Sequence, residues 1–397
     1  MQTLLITIEF PPETGGIENY SYNLIKRVPD SAVLAPNVPN SQSFDKNQNF
    51  KIIRKKILYH RQHWLFKNKF YSNSIGYLIS LIALLWHSWR TIQKEKPDIV
   101  LCSECVPVGI VLGLLNKVNN VPYVIFTHGK DILYLQHMPF VKWLIKYSFK
   151  NAFTVVSNSE YTRNLVMELE VPEEKTKIIH PCVNSEQFRP INVSNMKKEL
   201  NLSDKQILFS VGRLVKRKGN DMVIKSLPEV IEKIPNLVYL IAGNGPYKAE
   251  LKKLVSELDL EEHVYFLGYI SDSKLPFYYN LCDVFIMPSR TEKGDPEGFG
   301  IVYIEASACC KPVIGSKMGG IPDAVIDGKT GKLVDPLDIK DISHSIIELL
   351  SDKQKSRNMA QAGFLRAKQE LNWDRAAGIL CEIIKNRLEQ DQLKLNS

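Results

Sequence analysis

The sequence predicts an α/β protein of two doubly wound domains. Three observations support this: short apolar runs alternate with longer amphipathic stretches in both halves, a proline-punctuated connection interrupts the series, and 397 residues exceed the usual span of one core. The first half opens with a strand-like run from Leu4 to Glu9, which ends at Pro11-Pro12-Glu13-Thr14-Gly15-Gly16. Ile17 to Arg27 then has helical spacing. Asp98 to Cys102, Tyr123 to Thr127 and Phe153 to Ser157 are further strand candidates, each flanked by a helical pattern. Around Ile178 to Pro190 the pattern breaks. A second series follows, with strands expected at Ile207 to Val211, Leu237 to Ala242, Val264 to Leu267, Val284 to Met287, Pro312 to Gly315 and Gly331 to Val334, and a helical tail from Trp373 to Leu393. Two parallel sheets joined by one linker predict a central cleft faced by the loops at the carboxyl ends of the strands.

Composition sets bounds on function. A hydrophobic content of 44% and a charged content of 24% are those of an ordinary soluble enzyme. The longest apolar run, Ile75 to Trp86, is interrupted by Ser80 and is too short to span a bilayer. The first residues read as a strand rather than a signal peptide, so a cytoplasmic protein is expected. The seven cysteines are scattered and suit reduced, buried thiols. Cys102 and Cys105 have a metal-like spacing but lack a second pair or a nearby histidine.

The net charge of +8 has one source. Between Asp45 and Glu95 there is no acidic residue, while Lys46, Lys51, Arg54, Lys55, Lys56, Arg61, Lys67, Lys69, Arg90 and Lys94 all occur there. Tyr59, Trp64, Phe66, Phe70, Tyr71, Tyr77, Trp86 and Trp89 are interleaved with them. Residues 46–94 therefore suit either docking on an anionic membrane surface or a solvated basic loop followed by a core helix from Ile75 to Trp89. No nucleic-acid-binding motif accompanies the charge, and nucleic acid is not an expected partner.

Two motifs carry chemistry. Gly212-Arg213-Leu214-Val215-Lys216-Arg217-Lys218-Gly219 follows the first strand of the second series, and Pro296-Glu297-Gly298-Phe299-Gly300-Ile301-Val302-Tyr303-Ile304-Glu305 follows a later one. Arg213 and Lys218 suit two phosphate groups. Glu297 and Glu305, on a glycine-rich loop and the helix it opens, suit hydroxyls on a sugar and a ribose. Lys216 and Arg217 fit a basic surface turn. His128, at the end of the strand Val124 to Thr127, fits a structural histidine when its own surroundings alone are considered.

As a set these residues resemble the family-4 retaining glycosyltransferases of the two-domain GT-B architecture. The match takes in Phe10 to Gly16, His128-Gly129, Arg213 with Lys218, Gly243-Asn244-Gly245-Pro246, and Glu-x7-Glu at Glu297 and Glu305. Pro11 to Glu18, and Met287 to Thr291 before Asp295-Pro296-Glu297, look most like the phosphatidylinositol mannosyltransferase branch. The resemblance implies two Rossmann-like domains: residues 1–190 on the acceptor side, joined by a C-terminal helix at about 374–397, and residues 191–373 for the nucleotide sugar. It implies that Gly16 borders the donor phosphates, Arg213 and Lys218 grip the diphosphate, and Glu305 bonds the ribose. Glu297 with the amides of Gly298, Phe299 and Gly300 holds the sugar, His128 lies at its C6 side, and Gly243 and Gly245 line the base and ribose pocket. Asp131 is expected either to orient His128 or to belong to the acceptor side.

The implied reaction is hexosyl transfer from a nucleoside-diphosphate sugar to a lipid-linked or glycan acceptor in cell-envelope polysaccharide or glycolipid synthesis. GDP-mannose is the first donor and UDP-sugars the second, with the enzyme on the inner face of the cytoplasmic membrane if its basic segment docks there. Glu297 has no obvious partner carboxylate for a glycosidase-like double displacement, so same-face substitution is implied. No Asp-x-Asp occurs, so neither a metal nor any other cofactor is expected. Competing readings are a sugar-nucleotide epimerase of the same architecture and a non-catalytic nucleotide-sugar-binding protein. A dinucleotide oxidoreductase is disfavoured, because no Gly-x-Gly-x-x-Gly joins the first strand to its helix.

Overall fold

The structure, a computed structural model, describes residues 2–57, 71–133, 138–292 and 294–395. The chain divides into two compact units, one of Met1–His180 with Trp373–Ser397 and one of Pro181–Asn372.

The first unit is built on a seven-stranded sheet: β1 (Thr3–Ile6), β2 (Ser31–Pro36), β3 (Lys51–Lys55), β4 (Ile99–Cys102), β5 (Tyr123–Thr127), β6 (Thr154–Ser157) and β7 (Thr176–Ile178). The strands lie in the order β3-β2-β1-β4-β5-β6-β7, and every pairing is parallel. Helices cover both faces of a parallel sheet, which is why β1 and β5 are buried at every position and are mostly apolar, with one threonine each. The tail helix Trp373–Leu395 packs on this unit: the Trp373 ring lies edge-on to Tyr20 at 5.9 Å, and Arg27 pairs with Asp374 at 2.6 Å.

β2, β3 and β7 are absent from the strands expected from sequence. β3 is the informative omission, because it runs Lys51-Ile52-Ile53-Arg54-Lys55 through the basic segment. It is an edge strand, where charged side chains discourage pairing with another chain. The helix Tyr71–Glu95 follows. It packs Leu81, Leu84, Leu85, Trp89 and Ile92 on the core, as a core helix would, yet its other face leaves Leu78, Ile79, Ile82 and Trp86 exposed, so neither of the two readings is excluded. Tyr59, Arg61, Trp64, Phe66, Lys67, Lys69 and Phe70 lie outside the described residues.

The second unit has a six-stranded parallel sheet: β8 (Gln206–Val211), β9 (Leu237–Ala242), β10 (Val264–Gly268), β11 (Val284–Ile286), β12 (Val313–Ser316) and β13 (Gly331–Val334), in the order β10-β9-β8-β11-β12-β13. Alternate residues go to opposite faces. Ile207, Phe209, Leu240 and Phe285 pack into one core, and Leu208, Tyr239, Ile241 and Ile286 into the other. With both faces covered, the carboxyl ends of the strands are where the loops are free to build a site.

Candidate active site

The loops after β8, β9 and β10 are stitched together by main-chain bonds. Gly212 N–H donates to the Ala242 carbonyl at 3.1 Å, Leu214 N–H to that of Asn244 at 3.0 Å, and Gly243 N–H to that of Gly268 at 2.7 Å. The approach is so close that a Cβ on Gly243 would lie 1.9 Å from the Gly212 carbonyl oxygen, and one on Gly245 would lie 2.2 Å from that of Leu214. Glycine at both positions is required by loop-to-loop packing before any ligand is considered.

After β8 the chain makes a single 3-10 turn, Lys216–Lys218, which aims two of its three cations inward. Arg217 Nη1 and Lys218 Nζ both reach Glu297 Oε2, at 2.7 and 2.6 Å. Arg217 also lies 3.6 Å from Asp295. The sequence suggested a surface turn for Arg217, but the fold makes it a partner of Glu297. Lys218 is engaged by the same carboxylate, so its ammonium is not free of a protein partner. Arg213 is exposed, and its side chain makes no ion pair or hydrogen bond with a described residue.

Burial alone would raise the pKa of Glu297, but the Lys218 ammonium and the Arg217 guanidinium overcome that effect and hold it down to about 2. Oε1 receives no bond from a described residue, which leaves it as an open acceptor. Gly300, at a φ of 90°, starts the helix Ile301–Ala308. The Phe299 ring is buried in the core, so its contribution to a ligand is confined to the main chain, beside the amides of Gly298 and Gly300. The Glu297 carbonyl accepts from Gly320 N–H at 2.9 Å, tying this loop to the one after β12.

Glu305 lies on the same helix. Its Oε2 accepts from the buried Tyr279 hydroxyl at 2.7 Å. Burial pushes its carboxyl up to about 7, although the Tyr279 bond favours the ionised form. Oε1 is again open to a ligand among the described residues. Each of the two acids is therefore held by one oxygen and offers the other. Behind them stands a buried strut that sequence reasoning missed: Arg290 pairs with Asp221 at 2.9 Å, and Arg290 N–H donates to the Arg217 carbonyl at 2.8 Å.

In the first unit, the His128 ring is held on two sides. Its Nε2 lies 2.9 Å from the Ser103 carbonyl, which can only accept, so the neutral ring carries its proton on Nε2. The Tyr20 ring stands edge-on at 5.3 Å. Asp131 does not orient this ring; it accepts from the main-chain amides of His128, at 3.0 Å, and Cys105, at 3.2 Å. Gly16 is the first residue of the helix Gly16–Ile25, with open space where a side chain would be. Beside this loop the Glu104 carboxyl is buried. Desolvation first, and then the charges of Glu9 and Asp131, push it well above the usual carboxylate range.

Known proteins resemble this chain in sequence and in fold. The chain is 29% identical over 399 residues to the GDP-mannose-dependent alpha-(1-6)-phosphatidylinositol monomannoside mannosyltransferase of Mycolicibacterium smegmatis, covering 98% of this chain and 100% of that protein. It is 28% identical to the GDP-mannose-dependent monoacylated alpha-(1-6)-phosphatidylinositol monomannoside mannosyltransferase of Corynebacterium glutamicum, covering 98% of each. Among solved structures, HepE of Anabaena in complex with UDP superposes with a TM-score of 0.80 at 21% identity over 97% of this chain and 100% of that one. Sucrose-phosphate synthase of Thermosynechococcus elongatus superposes with a TM-score of 0.79 at 22% identity over 98% of this chain and 100% of that one. The fold is GT-B. The model of Glycosyltransferase Family 4 matches residues 14–187 and that of Glycosyl transferases group 1 matches residues 192–366, so between them they account for both units, and the chain belongs to this glycosyltransferase family.

Proposed function

We propose that this protein moves mannose from GDP-mannose to a membrane glycolipid of the phosphatidylinositol-mannoside type, with retention at the anomeric carbon and without a metal. The observation that carries the transfer reading is Glu297, ionised at any physiological pH and offering one free oxygen beside two cations. A carboxylate held down to about 2 is a weak base and a weak nucleophile. That suits gripping sugar hydroxyls and argues against a covalent glycosyl-enzyme. In the proposed reaction the bond from the anomeric carbon to the phosphate oxygen breaks as the acceptor oxygen bonds on the same face, and the acceptor's proton passes to the departing phosphate. Arg213 and Lys218 receive the negative charge that develops on the diphosphate, the task a metal ion otherwise performs. Glu305 holds the ribose, Gly16 borders the phosphates, and His128 in the other unit is assigned to the transferred sugar on the family resemblance. Donor and acceptor are taken from the relatives matched along their whole length. The UDP of the HepE structure keeps uridine sugars as the second donor class.

The test supplies radiolabelled GDP-mannose with and without a phosphatidylinositol-mannoside acceptor. Label should enter the lipid fraction only when acceptor is present. Arg213→Ala and Glu297→Ala should each lower kcat/KM by about a hundredfold, the usual cost of removing one group that stabilises developing charge. Donor consumed equally fast without acceptor would replace transfer by an epimerase or hydrolase reading.

A further inference from the structure

At the amino end of the second sheet, opposite the loops that carry Glu297 and Arg213, lies a cavity of about 580 Å³. Its walls come from the starts of β8 and β12 and from the first two turns of the helix Lys353–Gln369. Five cations line it, Lys197, Lys205, Lys311, Lys353 and Arg357, against the two acids Asp204 and Asp283. Asp283 is already engaged, accepting from Ile207 N–H at 2.8 Å. Lys311 donates to the Asn280 carbonyl at 2.8 Å, while Lys197, Lys205, Lys353 and Arg357 have no side-chain partner among the described residues.

The charges around this cavity are not balanced by one another. Lys353 and Arg357 are spaced i, i+4, so they repel along one helix face, and they sit at the end of the helix where its dipole already disfavours positive charge. Ser356, between them, adds a hydroxyl donor to the same wall. A cavity of this size accepts a small molecule, and the charge that relieves it is negative and multivalent. We propose that this cavity binds a small, multiply phosphorylated anion, at a site separate from the nucleotide-sugar loops.

The proposal is tested by titration calorimetry on the full chain with inorganic tripolyphosphate, and by sedimentation with vesicles bearing a phosphatidylinositol bisphosphate. Either probe should bind, and the more effective one identifies the source as a free anion or a lipid headgroup. Lys353→Glu with Arg357→Glu, both exposed and therefore compatible with folding, should weaken binding about tenfold or more. Lys205→Glu should act in the same direction. Arg213→Ala, at the other end of the sheet, should leave unchanged the binding that excess GDP does not displace. Binding of neither probe, binding indifferent to all three charge reversals, or binding lost in Arg213→Ala would each overturn the proposal. The last of these would place the anion in the donor site, whatever the outcome of the mannosyl-transfer assay.

Discussion

At pH 7 the Glu305 carboxyl is divided between its two protonation states, because burial has pushed it up to about 7 from an ordinary value of 4.5. For a carboxyl raised on folding, the associated stability is complete below the unfolded value and is lost as pH rises through the folded one. At 1.36 kcal/mol per unit this amounts to about 3 kcal/mol at most, and less where solvent reaches the group. Glu305→Gln, neutral throughout, should therefore raise Tm relative to wild type at pH 8 and leave it little changed at pH 5. The same variant tests function in the opposite direction. If the open oxygen accepts a ribose hydroxyl, wild-type nucleotide affinity should fall as pH drops from 8 to 6, and the variant should bind weakly with no such slope. An identical slope in both proteins would remove Glu305 from the ribose. Glu297, held at about 2, stays ionised across this window and contributes nothing to it. Glu297, Glu305, Arg213 and Lys218 were legible as a motif because their spacing is local within each loop. Arg217 was not, since three adjacent cations on a turn do not reveal which face inward until Glu297 arrives from a distant strand end. Tyr279 escaped for the same reason, as its bond to Glu305 joins two separate helices.

The site loops depend on an element-level support that has no sequence motif. Arg290, on the segment after β11, is 6% exposed and reaches Asp221, 7% exposed, at the start of the helix Asn220–Lys233. That pair braces the turn carrying Arg217 and Lys218 against the loop carrying Glu297. Removing Arg290 leaves the Asp221 charge buried without its partner, a loss of about 3–5 kcal/mol. Arg290→Ala should lower the denaturation midpoint accordingly and disorder donor binding. The double variant Arg290→Met with Asp221→Leu should recover much of the stability but not the affinity. Equal stability of Arg290→Ala and wild type would show the pair to be idle. Burial alone did not decide which elements were legible, since β2 is buried at every position and was missed while the half-buried β10 was found. β1, β5, β8 and β9 each carry three or more consecutive large apolar residues and stood out, whereas β3 carries its charges at a sheet edge and β2 ends in proline, so neither has the signature of a strand.

On the scale of the molecule, the positive excess concentrated in residues 46–94 is only partly available to an outside partner. Lys51 is paired with Glu95 at 2.6 Å. Arg54 is folded inward onto Asp45 at 2.8 Å, with its guanidinium 5.6 Å from the Phe10 ring centre. Lys46, Lys55, Lys56, Arg90 and Lys94 remain exposed. Beside them the helix Tyr71–Glu95 presents Leu78, Ile79, Ile82 and Trp86 at i, i+1, i+4 and i+8, one apolar stripe open to solvent. The same unit exposes Phe140 and Trp143 on the helix Pro139–Asn151, with their rings stacked 6.1 Å apart. Among the described residues no helix is long and apolar enough to cross a bilayer, so a stripe of this kind suits lying in the interface plane, where cations near an anionic surface add about 1 kcal/mol each. Two forces then act together, and salt separates them. Vesicles containing anionic lipid should retain the protein at low salt, and raising the ionic strength should weaken but not abolish retention, because screening acts on the charges and leaves apolar insertion intact. Ile82→Ser with Trp86→Ser, exposed positions whose loss opens no core cavity, should abolish the salt-resistant fraction while leaving Tm unchanged. Retention that is equal on neutral and anionic vesicles would exclude the charges, and retention indifferent to the double variant would exclude the stripe.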